Sequence, residues 1–523
     1  LYRPGRDPGA AFPAYSKCPQ TIGVCCAFSS AGTRPSNHNR GDDGHSADRA
    51  LEEGVMTSSA VDAADDPYRG YRGSAREKLE AFGVRVWSEV NADTTRGGFR
   101  GIVLPRSETA DDRHIVIKLA TGYNVGLAVE SILAMEEKGY RKITYKIPAK
   151  DVPHNPDLPN VTLFGTGGTI ASRLDYRTGA VIPAFSPGEL YGAVPELADI
   201  CNLKTIKLYG EFSENIGPKH WQGTAEAVAR EIEAGVAGIV IGHGTDTMHF
   251  TAAALSFMLQ DPPVPVVMVG SQRSSDRPSS DAALNLINAT HAAAYGDLAE
   301  VMVCMFGPTS DQYDLLHRGT RVRKMHSSYR STFRTIGDIP LAMISPEDFR
   351  ILHKDVKRRR SDRKVKLNTS FEEKVALVSY YPNMQPDVLH SLIDNGYRGI
   401  VIAGTGLGHV NKIVYPVLRR AKDEGVAIYM TVQTLWGYVQ MYVYDTGRDM
   451  MELGVIPAAN MLPEVAYVKL GWVLGQTDNL DEARRMMLTP VSHEITEREP
   501  PNGYLIMQGG IPEVEEYILS HRK

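Results

Sequence analysis

The sequence predicts an α/β protein: a two-domain body built on largely parallel sheets, preceded by a small β-barrel-like module. Two observations carry the prediction. From Asn160 onward short apolar runs alternate with helical patterns, as in strands joined by covering helices. Several of those runs stop in glycine turns, the behaviour of buried parallel strands at the edge where α/β proteins bind ligands. At 42% hydrophobic and 23% charged residues, the 523-residue chain has ample material for a core.

The amino-terminal stretch, residues 1–75, is rich in Gly, Pro, Ser, Asn, Asp and Ala and is expected to be disordered, because it has too little apolar surface to offset the entropy of ordering. Met56 precedes Thr57-Ser58-Ser59 and offers a start, with some of the first 55 residues expected to be an upstream extension. Residues 80–150 hold the β module and a linker. Its expected strands are Gly83–Trp87, Phe99–Leu104 and His114–Leu119, separated by Gly97-Gly98 and Asp111-Asp112.

The first α/β domain is expected over residues 158–352. Its strands are Val161–Phe164, Gly238–Ile241, Val264–Val269 and Glu300–Met305, with helices at Ala225–Ala234 and Asp281–Ala294. Residues 353–370 form a basic linker carrying Lys357, Arg358, Arg359, Arg360, Arg363, Lys364 and Lys366. It reads either as a solvated connection or as a contact for nucleic-acid phosphates. A smaller α/β domain follows over residues 371–490, with strands at Lys374–Val378, Gly399–Ala403 and Val426–Met430 and helices at Lys412–Lys422 and Pro463–Leu474. The tail, residues 491–523, ends in a short amphipathic helix candidate, Pro512–Ser520.

Net charge of −5 carries no global signature of nucleic-acid or membrane binding. No apolar run approaches the ~20 residues of a membrane span, and no secretory signal is apparent. Cys18, Cys25, Cys26, Cys201 and Cys304 show neither zinc-ligand spacing nor a disulfide framework, and Cys304 reads as a packed thiol. A cytoplasmic protein with no metal in the chain is expected.

Four stretches carry chemistry. Phe164-Gly165-Thr166-Gly167-Gly168-Thr169 places a hydroxyl after a strand and a glycine turn, and Ile241-Gly242-His243-Gly244-Thr245-Asp246 does so again beside a carboxylate. Gly270-Ser271-Gln272-Arg273 opens a polar loop that reaches a helix at Asp281, and Arg321-Val322-Arg323-Lys324 supplies a lysine. Phosphate and dinucleotide loops are the usual alternative, but neither Gly-x-x-x-x-Gly-Lys-Ser/Thr nor a correctly placed Gly-x-Gly-x-x-Gly occurs. No Ser occupies a nucleophile elbow and no Cys has glutaminase-like flanks, so threonine is the available nucleophile. Its hydroxyl needs a base, a task a lysine performs only when its pKa is depressed. His243 reads as structural.

These motifs resemble the active-site motifs of bacterial-type L-asparaginases. The wider set, with Ser172–Val181, Gly270–Asp276, Gly404–His409, Glu494–Arg498 and the preceding β module, resembles the D-subunit family of the archaeal glutamyl-tRNA(Gln) amidotransferase over residues 80–498. The resemblance implies an asparaginase-like body and an amidase half-reaction. Thr169 is then the nucleophile, Thr245 and Lys324 the proton-transfer group, and Asp246 the residue holding the substrate α-ammonium. Tyr176 matches a lid, while Ser213 and Glu214 match the loop that grips the substrate's α-groups. No cofactor is implied in this chain; ATP and Mg are expected at a partner, the amidotransferase's E subunit, which also carries most of the contact with Glu-tRNA(Gln). The family further implies a homodimer within a heterotetramer; the β module and the second domain are the candidate docking surfaces. A free cytoplasmic L-asparaginase and an inactive binding scaffold are the alternatives.

Overall fold

The structure, a computed structural model, describes residues 66–106, 110–120, 124–140, 154–167, 194–273, 279–308, 311–501 and 503–504, with the backbone alone at 172–174 and 181–183. Order begins earlier than the composition implies. Tyr71 and Ala75, inside the stretch expected to be disordered, are buried, and helix α1 (Gly73–Ala81) packs Ala75 and Leu79 into the module core. The run Gly83–Trp87 is no strand. It forms the helix exit, where Gly83 has φ +64° and Val84 N–H returns to Leu79 O, as helix ends require.

Five antiparallel strands follow: β1 (Ser88–Thr94), β2 (Gly97–Val103), β3 (His114–Leu119), β4 (Asn124–Ala128) and β5 (Ile132–Tyr140), in the order β4-β3-β2-β1-β5. Alternate residues Val90 and Ala92, Ile115 and Ile117, point inward, the period of a sheet with one buried face. Among the described residues no pairing joins β4 to β5, so the module is an open sheet rather than a closed barrel.

The first domain is an eight-stranded sheet. Its parallel part comprises β6 (Asn160–Gly165), β7 (Asn202–Lys207), β8 (Gly238–Gly242), β9 (Val266–Val269) and β10 (Val301–Phe306). β11 (Asp314–Arg318) turns antiparallel onto β10; β12 (Val322–Lys324) and β13 (Phe333–Thr335) form a hairpin; β14 (Ala342–Ile344) and β15 (Phe349–Ile351) complete the sheet in the order β15-β14-β11-β10-β9-β8-β6-β7. Helices α2 (Pro218–Glu233), α3 (Met248–Met258) and α4 (Ala282–Tyr295) cover it. α2 starts seven residues before the expected helix because Pro218 suits a first helical position. The second domain is a four-stranded parallel sheet, β16 (Val375–Ser379), β17 (Gly399–Gly404), β18 (Ala427–Val432) and β19 (Val455–Pro457), with α5 (Tyr415–Asp423) and α6 (Pro463–Leu474).

α6 is buried at nearly every position and joins the two domains, stacking Trp472 on Phe257 of α3 at 5.8 Å. The basic stretch between the domains is solvent-facing, with Arg358, Arg360, Lys364 and Lys366 exposed, and is also strapped to the first domain. Lys357 and Lys366 pair with Asp261 at 3.2 and 3.0 Å, Arg358 pairs with Asp297, and Arg360 with Asp362. Arg359 donates to the carbonyls of Ala237, Ala293 and Gly296, and Arg363 to that of Pro262. Four of the seven basic residues that suggested phosphate binding are thus ion-paired within the chain, to three carboxylates.

Candidate active site

The chain leaves β6 on one side to form β7 and returns on the other to form β8. That reversal is a topological switch point, and its crevice at the carboxyl ends of the strands is where open α/β sheets bind ligands. The register aligns the two glycine turns there: Gly165 lies opposite Gly242, and Gly242 opposite Val269 of β9. Thr166 ties the turns together, its N–H and hydroxyl both donating to Gly242 O at 3.1 and 2.9 Å.

Gly167 has φ +123°, and a Cβ there would fall 2.0 Å from Glu211 O, so only glycine fits. Glu211 N–H in turn donates to Thr166 O at 3.1 Å. Thr169, two residues on, and Tyr176 lie outside the described residues.

Thr245 and Asp246 follow β8 on the same edge, and Lys324 reaches them from the end of β12. Its Nζ donates to Thr245 Oγ1 at 2.9 Å and to Asp246 Oδ1 at 2.8 Å. The lysine side chain is 9% exposed and that of Asp246 69%, so the amine is enclosed while the carboxylate stays open to a solute. The opposite face of the lysine's segment belongs to the other domain. Fully buried Arg321 donates to Asn460 O at 2.9 Å and His493 O at 3.0 Å, and Arg323 pairs with buried Glu464 at 2.6 Å. The alternation of strand side chains thus points 321 and 323 at the second domain and 324 at Thr245.

Ser213 and Glu214 sit on the loop before α2. Ser213 is buried against the Thr245 turn: Thr247 Oγ1 donates to Ser213 O at 2.5 Å, and a Cβ on Gly244 would meet Ser213 Cβ at 2.8 Å. Glu214 is exposed beside it. His243 is fully buried, with Nδ1 at 2.6 Å from Gly244 O and Nε2 at 2.9 Å from Thr251 Oγ1, which also accepts from Trp221 Nε1. Burial pushes its pKa down to about 4, so it is a neutral strut for the turn and not a base. Cys304 is a fully buried thiol whose pKa burial raises well above the ordinary value. Among the described residues no group of three His, Cys, Asp or Glu is placed to hold a metal ion, and no helix is long and apolar enough to cross a membrane.

What the sequence reading missed is a pair behind this edge, Asp281 and Asn285. Asp281 was visible as an acidic residue entering a helix, which suggests a cap; its partners are instead in the loop after β9.

Comparison with known proteins matches the chain to three family models: "Asparaginase, N-terminal" at residues 160–357, "Glutaminase/Asparaginase C-terminal domain" at 374–487 and "GatD N-terminal domain" at 86–136. Among solved structures, the thermostable L-asparaginase from Thermococcus kodakarensis superposes with a TM-score of 0.58 at 31% identity, covering 64% of this chain and 99% of that one. L-asparaginase I from Vibrio cholerae gives 0.57 at 27% identity, covering 65% and 99%. The D subunit of the Pyrococcus furiosus glutamyl-tRNA(Gln) amidotransferase is 51% identical over 436 residues, 82% of this chain and 99% of the relative. Its counterpart in Methanothermobacter thermautotrophicus is 48% identical, over 82% and 98%. The body is asparaginase-like, the module before it is the one these amidotransferase subunits carry, and the chain belongs to the D-subunit family of the glutamyl-tRNA(Gln) amidotransferases.

Proposed function

We propose that this chain releases ammonia from the side-chain amide of glutamine, through Thr169, for transfer to Glu-tRNA(Gln) by a partner subunit. The observation that carries the reading is Lys324 Nζ held by both Thr245 Oγ1 and Asp246 Oδ1 at the switch-point edge. Family membership gives that arrangement its substrate class.

In this reading Thr169 Oγ attacks the amide carbon. Its proton enters the Thr245–Lys324 pair and passes to the departing nitrogen, which leaves as ammonia. Water then attacks the acyl ester, a proton returns to Thr169 Oγ, and glutamate departs. N–H groups of the two glycine turns stabilise the oxyanion, an effect of roughly 3–4 kcal/mol per donor. Asp246, largely exposed, takes the substrate α-ammonium, with Ser213 and Glu214 beside it and Tyr176 as the lid.

Ammonia is useful only to an activated acceptor. The E subunit supplies that activation, using ATP and Mg to phosphorylate the γ-carboxylate of Glu-tRNA(Gln), and this chain pairs with itself and with that partner in a cytoplasmic heterotetramer. The test is ammonia release from glutamine and asparagine by the chain alone, then with the E subunit, ATP, Mg and Glu-tRNA(Gln), with Thr169→Ala as control. Stimulation by the full mixture, lost in the variant, supports the reading. Fast asparagine hydrolysis that ignores the partner makes this a free asparaginase, and silence throughout makes it a scaffold.

A further inference from the structure

Behind the Thr245 turn lies a polar cluster that the amidase chemistry leaves unused. Where β9 ends, Gly270 lies flat on the neighbouring turn: a Cβ there would fall 2.7 Å from His243 O and 2.9 Å from Thr245 Cγ2. The loop that follows is held by Asp281, which has no exposed surface. Its carboxylate accepts the N–H of Gln272 at 3.1 and 3.0 Å and that of Arg273 at 2.9 Å. Asn285, equally buried, joins the two ends of the device. Its Nδ2 donates to Asp281 Oδ2 and to Gly270 O, each at 2.9 Å.

Asp281 stands at the N-cap of α4, yet its side chain caps no amide of that helix. It turns back to the loop instead. Burying a carboxylate is costly, and burial does push this one's pKa up, against the pull of the N–H donors around it. The donors that offset the cost belong to the segment pressed against Thr245.

We propose that Asp281 and Asn285 are positioning residues for the amidase reaction: they clamp the Gly270–Arg273 backbone so that Gly270 seats the Thr245 methyl and aims Thr245 Oγ1 at Lys324 Nζ. Methyl and hydroxyl hang on one Cβ, so fixing the methyl fixes the rotamer and with it the hydroxyl. This inference rests on the amidase reading of the site.

The experiment is Asp281→Asn in the full complex, with a double-mutant cycle against Thr245→Ser, which keeps the hydroxyl and removes the methyl. Asp281→Asn is expected to lower kcat for glutamine by about 100-fold, the effect of an ångström-scale misplacement. KM should move by less than about threefold, because the loss falls on the transition state. In the Thr245→Ser background the same change should cost less than about threefold more, since the methyl it acts through is gone. Asn285→Ala, which leaves the carboxylate in place, is the second variant should Asp281→Asn fold poorly, and should move kcat in the same direction. Amide hydrogen exchange of the peptide spanning residues 241–247 should speed up in both variants. A near-wild-type kcat, a full 100-fold loss repeated in the Ser background, or unchanged exchange in that peptide overturns the clamp. A wild-type complex that releases no ammonia sinks the amidase reading alone, and the exchange measurement then decides the clamp by itself.

Discussion

Replacing Gly167 by alanine tests whether the first glycine turn is a fixed part of the reaction machinery. Two penalties can be worked from the backbone. The residue has φ +123°, which no L side chain adopts without strain of about 1–3 kcal/mol. The new Cβ would also lie 2.0 Å from Glu211 O, and relief needs roughly 1.5 Å of separation, since carbons and oxygens pack at about 3.5 Å. The Glu211–Thr166 hydrogen bond resists that movement and adds about 1 kcal/mol when it breaks. Stability should therefore fall by about 2–4 kcal/mol, and kcat by about 100-fold, because the displaced turn leads directly to Thr169. The control is Gly210→Ala in the facing segment, where a Cβ meets only the flexible end of Lys207 at 3.6 Å. Ammonia release and urea unfolding of both variants decide the matter. Gly167→Ala at wild-type activity, or Gly210→Ala equally damaged, refutes the reasoning.

Lys324→Met removes the donor shared by Thr245 and Asp246 and should cut ammonia release by about 10²–10⁴-fold with little change in melting temperature, while Lys324→Arg, with charge but different donor geometry, should not restore it. Asp314 is fully buried, and burial raises its carboxyl from 3.8 to about 8. Its folded form therefore holds a proton that the unfolded chain has lost, so its contribution is largest at low pH and declines as pH rises from about 4 to about 8, at about 1.4 kcal/mol per unit. Asp314→Asn should abolish that slope; parallel urea-midpoint curves for the two proteins across this window would refute it. Arg321→Met orphans buried carbonyl acceptors at about 1–3 kcal/mol each and should split a single urea transition into two as the domains uncouple; an unchanged single transition counts against the interdomain role.

The parallel sheets were legible because their signals are local: apolar runs of strand length, each closed by a glycine turn, at Phe164-Gly165 and Ile241-Gly242. α1 was not, since only Ala75 and Leu79 mark its buried face and the helix opens on a glycine. Val84 and Val86 look like strand residues, yet they are apolar because they plug the module core at a helix exit. The strap shows the same limit. A row of basic residues looks alike whether its partners are phosphates or Asp261 and Asp297, some 60 to 105 positions away. At the site, the threonine and aspartate share one turn, but the lysine reaches them from 78 and 79 positions downstream. Only the resemblance joined them in advance. Asp281 escaped because the residue type suits a cap equally well, and the choice between cap and clamp depends on where the preceding loop runs.

The strand that carries Lys324 has one face in each domain, and this gives the enzyme an order of birth. Synthesis delivers Thr245 and Lys324 well before Asn460, Glu464 and His493, the groups that hold Arg321 and Arg323. Until those residues leave the ribosome, the guanidinium groups of Arg321 and Arg323 lack their partners, and the lysine's strand is held only from the first domain, by its pairing with β13 and by buried Val322. A nascent or truncated chain would consequently hold Lys324 from one domain only, and less firmly than the complete body does.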